Sequence, residues 1–258
     1  MMNDLQGLHI LVTRPEPQGA ELCRLIAAEG GYPVSFPTIA FAPPPDQETF
    51  QESINALGKQ DLLIFISPQA VYSSIASIRK TWPQFPESVQ FAAVGAGTAK
   101  ALRDAGYNVT LQPESEWSSQ GLLEMEELKA VSGKKIAIIR GVGGRELLDV
   151  ELARRGACIL PVIAYERTLP KIDVDPCLNL LEKRIIDIII CTSYEGVRNL
   201  KILLGEAGWP YIKDIPVIVM SERIKSLAHN LGFQTIWVTP NPSMAAILDV
   251  CRNRNDHR

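Results

Sequence analysis

Ser67 and Ser193 each end an apolar run that opens with an aspartate, Asp61-Leu62-Leu63-Ile64-Phe65-Ile66 and Asp187-Ile188-Ile189-Ile190-Cys191-Thr192. Each serine also opens an amphipathic stretch, where a hydroxyl caps a helix and the exposed backbone N–H groups beside it favour anions. Arg14 and Arg140 each end another apolar run, and a guanidinium can grip a carboxylate or phosphate at two points. Gly141 follows Arg140, Thr98 follows the turn Gly95-Ala96-Gly97, and Ser221-Glu222-Arg223 stands after a later run. Tyr165 is the one phenol placed in an extended segment between such runs, where it could serve a ligand as proton donor or hydrogen-bond partner. The plainer readings are helix caps for the hydroxyls, structural ion pairs for the arginines and a packed aromatic for Tyr165.

Other chemistries lack their residues. Gly141-Val142-Gly143-Gly144 invites a dinucleotide reading, but the G-x-G-x-x-G fingerprint needs glycine at position 146, which is Glu146; Gly95-Ala96-Gly97 fails the same test at Lys100. His9, His229 and His257 are far apart, and Cys23, Cys158, Cys177, Cys191 and Cys251 form no C-x-x-C pair, so neither a metal site nor a disulfide framework is expected. No Ser-His-Asp or Cys-His set and no carboxylate pair suggests a hydrolase. A net charge of -3 argues against a nucleic-acid binder that relies on a general basic field. Hydrophobic residues at 46% and charged residues at 21% are ordinary for a globular protein. Neither an export signal nor an apolar run long enough to span a membrane is read, so a cytoplasmic protein with reduced thiols is expected.

The elements that must position these residues occur twice. An offset of 126 residues joins Ser67 to Ser193, Arg14 to Arg140, Gly7 to Gly133, Gly30 to Gly156 and Gly106 to Gly232, and twice that length nearly fills the 258 residues. Tyr165 breaks the symmetry, because its counterpart is Ile39. Short apolar strands alternate with helices: strands over 9–13, 32–36, 61–67, 91–94, 109–111, 135–139, 158–162, 187–193, 216–220 and 234–238, with helices over 18–29, 46–57, 69–79, 98–105, 118–128, 145–154, 178–185, 194–204, 221–232 and 244–251. That alternation calls for two doubly wound parallel sheets. The extended stretches Pro37–Pro45 and Ile163–Pro170, each closed by proline, read as linkers. In such sheets ligands sit beyond the carboxyl ends of the strands, which is where Arg14, Ser67, Thr98, Arg140, Gly141, Ser193, Ser221 and Arg223 fall.

In this order the residues resemble the uroporphyrinogen-III synthase family. The likeness rests on Ile10-Leu11-Val12-Thr13-Arg14-Pro15, Phe65-Ile66-Ser67-Pro68 with Val71, Val94-Gly95-Ala96-Gly97-Thr98-Ala99, Arg140-Gly141 with Gly144-Arg145, Tyr165-Glu166-Arg167, Thr192-Ser193 with Val197, and Ser221-Glu222-Arg223. The resemblance implies two flavodoxin-like α/β domains joined by a two-stranded antiparallel connector. A first lobe would combine residues 1–35 with 169–258, an inserted lobe would span 43–160, and 36–42 with 161–168 would connect them, with hinge motion between the lobes.

The family's reaction, by implication, is cyclisation of the linear tetrapyrrole hydroxymethylbilane with inversion of one pyrrole ring. Loss of hydroxide gives an azafulvene, attack by the far ring gives a spiro intermediate, and that ring reopens and recloses inverted. Such chemistry needs orientation more than a nucleophile, and no cofactor or metal is implied. Tyr165 matches the family's tyrosine thought to assist departure of the hydroxyl, while Ser67, Thr98 and Ser193 match polar cleft positions; many relatives have a Gly-x-Thr turn where this chain has Ser221-Glu222-Arg223. A monomer is expected. The competing expectation is a noncatalytic two-lobed binder of a small anion, with a nucleotide-dependent enzyme third.

Overall fold

An apolar run with no polar face must be covered on both sides, and Leu62–Phe65 and Ile188–Cys191 are buried at every position. The computed structural model of the chain describes residues 5–114, 117–143 and 146–254. In order they form β1 (His9–Val12), α1 (Gln18–Ala28), β2 (Tyr32–Ser35), β3 (Ala40–Ala42), α2 (Gln47–Asn55), β4 (Leu62–Phe65), α3 (Pro68–Thr81), β5 (Gln90–Ala93) and α4 (Ala96–Asp104). Next come α5 (Ser119–Leu123), α6 (Glu126–Lys129), β6 (Lys135–Gly141), α7 (Leu147–Arg154), β7 (Cys158–Thr168), α8 (Asp175–Glu182) and β8 (Ile188–Cys191). The chain ends with α9 (Tyr194–Ile212), β9 (Val217–Val219), α10 (Glu222–Asn230), β10 (Ile236–Val238) and α11 (Met244–Arg252). No helix among the described residues is long and apolar enough to cross a membrane.

Two compact units result, Met1–Ala40 with Thr168–Arg258, and Phe41–Arg167. The sheet of the first runs β10-β9-β8-β1-β2, all parallel, which is the flavodoxin order once strands are counted along the unit. The second runs β3-β7-β6-β4-β5, with Leu111 bridging to Ala92 beyond β5. Moved by the 126-residue offset, its pairs Leu62–Ile136, Leu63–Phe91, Lys135–Cys158 and Ala92–Leu111 become Ile188–Ile10, Ile189–Val217, His9–Tyr32 and Ile218–Trp237 of the first sheet. Each unit is therefore a hybrid: the first takes β1 and β2 from one copy of the repeat and β8, β9 and β10 from the other, while the second takes β3, β4 and β5 from the first copy and β6 and β7 from the second. The aspartate that opens the repeated run does the same task twice, Asp61 accepting from the Lys135 N–H and Asp187 from the His9 N–H, both at 2.8 Å.

Alternate residues of the central strands feed opposite faces. Leu63 and Phe65 join one core and Leu62 and Ile64 another; Ile189 and Cys191 pack away from Ile188 and Ile190 in the same way. Each fully buried Leu or Ile contributes roughly 1.5–3 kcal/mol, so the four cores hold the strand tips in place. Gly30 and Gly156 end α1 and α7 in the left-handed region, at φ 84° and 87°, which glycine adopts without strain.

Several elements differ from the sequence expectation. Residues 109–111 make one bridge at Leu111 and no strand, while the short β3 forms in the expected linker beside β7. The helix expected over 118–128 breaks into α5 and α6 at Glu124-Met125, where Met125 turns extended at ψ 139°. The helix expected to end at Leu204 continues to Ile212 across a kink at Gly205, φ 54°. Residues 158–162 and the following linker make one strand, β7. Gly144 and Arg145, part of the glycine-rich and family motifs and the expected helix start, lie outside the described residues, as do residues 255–258.

Candidate functional site

Because the five strands of the first sheet and β4, β5, β6 and β7 of the second run parallel, the residues just past their carboxyl ends share one rim in each sheet. In the unit 41–167 that rim holds Ser67 after β4, Gly95–Thr98 after β5, and Arg140 and Gly141 at the end of β6. In the other unit it holds Arg14 after β1, Ser193 after β8, and Ser221 and Arg223 after β9.

Tyr165 reaches its rim through a β-bulge. β6 and β7 pair in register from Lys135–Cys158 to Arg140–Ile163, and the next pair is Gly141–Tyr165, so Ala164 is skipped. The skipped residue turns Tyr165 onto the face already served by Val162 and Ala164, and all three join one core. The phenol ring is 1% exposed and walled on three sides. Phe41 meets it edge-on with centroids 5.4 Å apart, and the Arg167 guanidinium lies 5.8 Å from the ring centroid. Gly141 supplies the third wall, where any side chain would collide: a Cβ would sit 2.5 Å from Cε2 and 2.7 Å from Cζ. The phenol oxygen lies 3.1 Å from the Ser67 hydroxyl.

Ser67 is half-buried and caps α3, its Oγ accepting from the Ala70 N–H at 3.1 Å. Pro68 follows at the first helical position, where its missing N–H costs nothing. α4 begins beside it, for a Cβ on Gly97 would touch Pro68 Cγ at 3.5 Å. Thr98, expected as a cap, is not one: Gly95 is the extended residue that opens α4, without a side-chain hydrogen bond, and Thr98 is buried within the first turn. The first-turn N–H groups of α4 therefore have no side-chain acceptor at the cap. The exposed Trp117 stands beside Gly95, its Cβ 3.4 Å from where a glycine Cβ would be.

The two arginines differ. Arg140 is buried, with Nη2 3.3 Å from Asp149 and 3.9 Å from Glu146. Burial pushes the Asp149 carboxyl up, with Arg140 only partly offsetting it. Among the described residues Arg14 meets no acid; its Nε donates to Gln18 Oε1 at 3.0 Å and its Nη1 is buried without a partner. Burial lowers its pKa from the ordinary guanidinium value, against a smaller opposing effect of Glu21. Position 149 corresponds to Cys23 in the first copy, so comparing the copies tells which arginine has an acid partner.

Ser193 and Ser221 cap α9 and α10, accepting from the N–H groups of Gly196 at 2.9 Å and Ile224 at 3.4 Å. Around Ser193 the Thr38 hydroxyl donates to the Thr13 carbonyl and Asn199 donates to the Thr38 carbonyl. Arg223 is exposed, with its guanidinium 5.1 Å from the Tyr194 ring centroid. The structure thus brings Ser67, Tyr165 and Gly141 into one cluster, ties Arg140 to Asp149, and leaves Arg14 as a half-buried cation with an unpaired donor. Phe41, Asp149 and Trp117 were missed in the sequence. Phe41 lies in a linker read only for its prolines, and Asp149 was visible through its unmatched counterpart.

Residues 20–249 match the family model described as "Uroporphyrinogen-III synthase HemD". The uroporphyrinogen-III synthase of Escherichia coli K12 is 32% identical over 247 residues, covering 93% of this chain and 98% of that protein. That of Salmonella typhimurium LT2 is 31% identical, with the same coverages of 93% and 98%. Among solved structures, a mutant uroporphyrinogen III synthase from the extremely thermophilic bacterium Thermus thermophilus matches with a TM-score of 0.60 at 19% identity, over 96% of this chain and 99% of that one, a likeness of fold.

Proposed function

The chain belongs to the uroporphyrinogen-III synthase family, and from that membership we infer the reaction: hydroxymethylbilane is cyclised to uroporphyrinogen III with inversion of one pyrrole ring and loss of water. The enzyme is a cyclising hydro-lyase of tetrapyrrole and haem biosynthesis. The substrate brings most of the reactivity. Once the terminal hydroxyl departs, the pyrrole is its own electrophile, and the far ring is its own nucleophile. What remains for the protein is to help the hydroxyl leave and to fold the bilane so that inverting closure outruns simple end-to-end closure.

The observation that carries our assignment of the leaving-group site is the 3.1 Å contact between the Tyr165 and Ser67 hydroxyls at the amino terminus of α3. An oxygen leaving with its electron pair needs a proton, and hydroxyls beside a helix amino terminus sit where negative charge is stabilised. Tyr165 is the acid in this reading. The bilane is a polycarboxylate, and the groups suited to it are Arg14 with its open Nη1, the uncapped turn Gly95–Thr98, and the helix openings at Ser193 and Ser221 with the exposed Arg223. Arg140 would contribute only by exchanging Asp149 for a substrate carboxylate, and Gly141 by its backbone and by the room it leaves for the phenol.

In this account the protein works as a cytoplasmic monomer without metal, cofactor or nucleic acid. Proton delivery to a leaving hydroxyl needs no Lewis acid when hydroxyls supply it. The test is product analysis. Fresh hydroxymethylbilane, enzyme and a chelator should yield mainly the type III porphyrinogen, read by chromatography after oxidation. Type I alone, the isomer of spontaneous closure, would exclude the activity.

A further inference from the structure

Resting on the role of Tyr165 given above, we propose that Tyr165 acts through Ser67: the serine hydroxyl meets the substrate, and the phenol reloads it. Exposure points this way. Tyr165 is 1% exposed and enclosed by Phe41, Gly141 and Arg167, whereas Ser67 is half-buried at the strand-tip rim. The phenol oxygen has the Ser67 oxygen at 3.1 Å. A ligand at the rim therefore meets the serine first.

The hydrogen-bond inventory leaves room for a relay in the required direction. A serine oxygen has two lone pairs and one proton. One lone pair accepts the Ala70 N–H at 3.1 Å. If the second accepts the phenol proton, the serine's own proton points outward. The chain then runs from the phenol to the serine to the leaving oxygen. In that arrangement the helix N–H and the phenol both donate into the same oxygen, which makes the outward O–H a stronger donor than an isolated serine. The bulge at Ala164 turns Tyr165 toward this face, and the missing side chain at Gly141 leaves room for its ring.

In the step itself, the carbon–oxygen bond of the hydroxymethyl group breaks as the pyrrole nitrogen's lone pair forms the exocyclic double bond. The departing oxygen takes the Ser67 proton and leaves as water, and Ser67 takes the Tyr165 proton. The far ring attacks the azafulvenium so formed through its substituted carbon to give the spiro intermediate. The bond from that carbon to its original methylene then breaks to leave a second azafulvenium. The ring's unsubstituted α-carbon closes onto it, and the proton that carbon sheds as the ring regains aromaticity returns to the Tyr165 oxygen. One water is lost, and the enzyme ends in its starting protonation state.

The test uses the full chain with Ser67→Gly, Tyr165→Phe, the double variant and Ser67→Thr. Glycine is chosen because it is tolerated as a helix cap, so the hydroxyl is removed with the helix start kept. Each single variant should lower kcat by roughly tenfold to a hundredfold, with KM changed by less than about twofold. The double variant should be no slower than the slower single one, as for two residues in one relay. Ser67→Thr, which restores cap and hydroxyl, should recover turnover, while a melting temperature unchanged in Ser67→Gly separates the relay from a purely structural role, which would lower it. Wild-type kcat in Ser67→Gly beside a slow Tyr165→Phe would mean that the phenol acts directly, and multiplying effects in the double variant would mean two independent roles. Wild-type kcat in Tyr165→Phe would instead remove the acid on which the relay rests.

Discussion

A guanidinium that already faces carboxylates has less to offer an anion than one with an open donor, and this separates Arg14 from its repeat partner Arg140. Arg14→Ala should raise KM about tenfold, the loss of roughly 1.4 kcal/mol of binding, with little change in melting temperature. Arg140→Ala should do the reverse, leaving KM nearly unchanged and lowering unfolding stability by about 2 kcal/mol because Asp149 keeps a half-buried charge without its partner. Steady-state kinetics and urea melts of the two variants decide it; a larger KM effect from Arg140→Ala would show that the ion pair opens to bind substrate. At this scale residue types were legible and partners were not. Ser67 and Tyr165 lie 98 residues apart in the chain, and nothing in their spacing says that their hydroxyls touch. What the sequence did hold was divergence between the copies: Tyr165 against Ile39, and Asp149 against Cys23.

Helices and strands were read from apolar periodicity, which is informative where a segment is long and buried and silent where side-chain bonds decide. The break between α5 and α6 illustrates the second case. Arg155 stands after α7 and donates through Nη1 to the carbonyls of Leu123 and Leu128, at 2.7 and 3.0 Å, so one guanidinium satisfies both short helices. Glu151 holds it at 3.0 Å and also binds Arg154. Arg155→Ala should cost about 2 kcal/mol in unfolding free energy. The arginines hold the Glu151 carboxyl down at about 2, from an ordinary value of 4.5. A carboxylate whose pKa is depressed by folding adds stability above the unfolded value and loses it as pH falls through the folded one. Glu151→Gln should therefore melt below the wild type at pH 7, and the gap in melting temperature should close between the two values just given. A gap that persisted at the acid end would mean that the carboxylate's charge is not what matters. The bulge that places Tyr165 was likewise illegible, since one skipped residue leaves the apolar pattern of β7 unbroken.

At the scale of the molecule the duplication was plain from one constant offset, and the parallel flavodoxin-like sheets are the consequence of apolar runs buried on both faces. The exchange of segments between copies is not a matter of periodicity, because either assignment of strands buries the same apolar residues. That exchange bears on folding. Every strand of the unit Phe41–Arg167, apart from Ala40 of β3 and Thr168 of β7, comes from one uninterrupted stretch, while the other unit needs chain from both sides of it. Residues 41–167 expressed alone should fold with a cooperative thermal transition, and residues 168–258 alone should not, as followed by circular dichroism. A cooperative transition in the second fragment would contradict the hybrid architecture.

The central claim is that the fold dictates which ends of the bilane meet while a hydroxyl pair only helps the leaving group depart. Single-turnover reactions with enzyme in excess over hydroxymethylbilane, comparing wild type with Tyr165→Phe and resolving product isomers over time, separate those two tasks. The account predicts slower loss of the bilane in the variant with type III still the product. Type I formed at the wild-type rate would contradict it, because the tyrosine would then be choosing the isomer and not assisting departure.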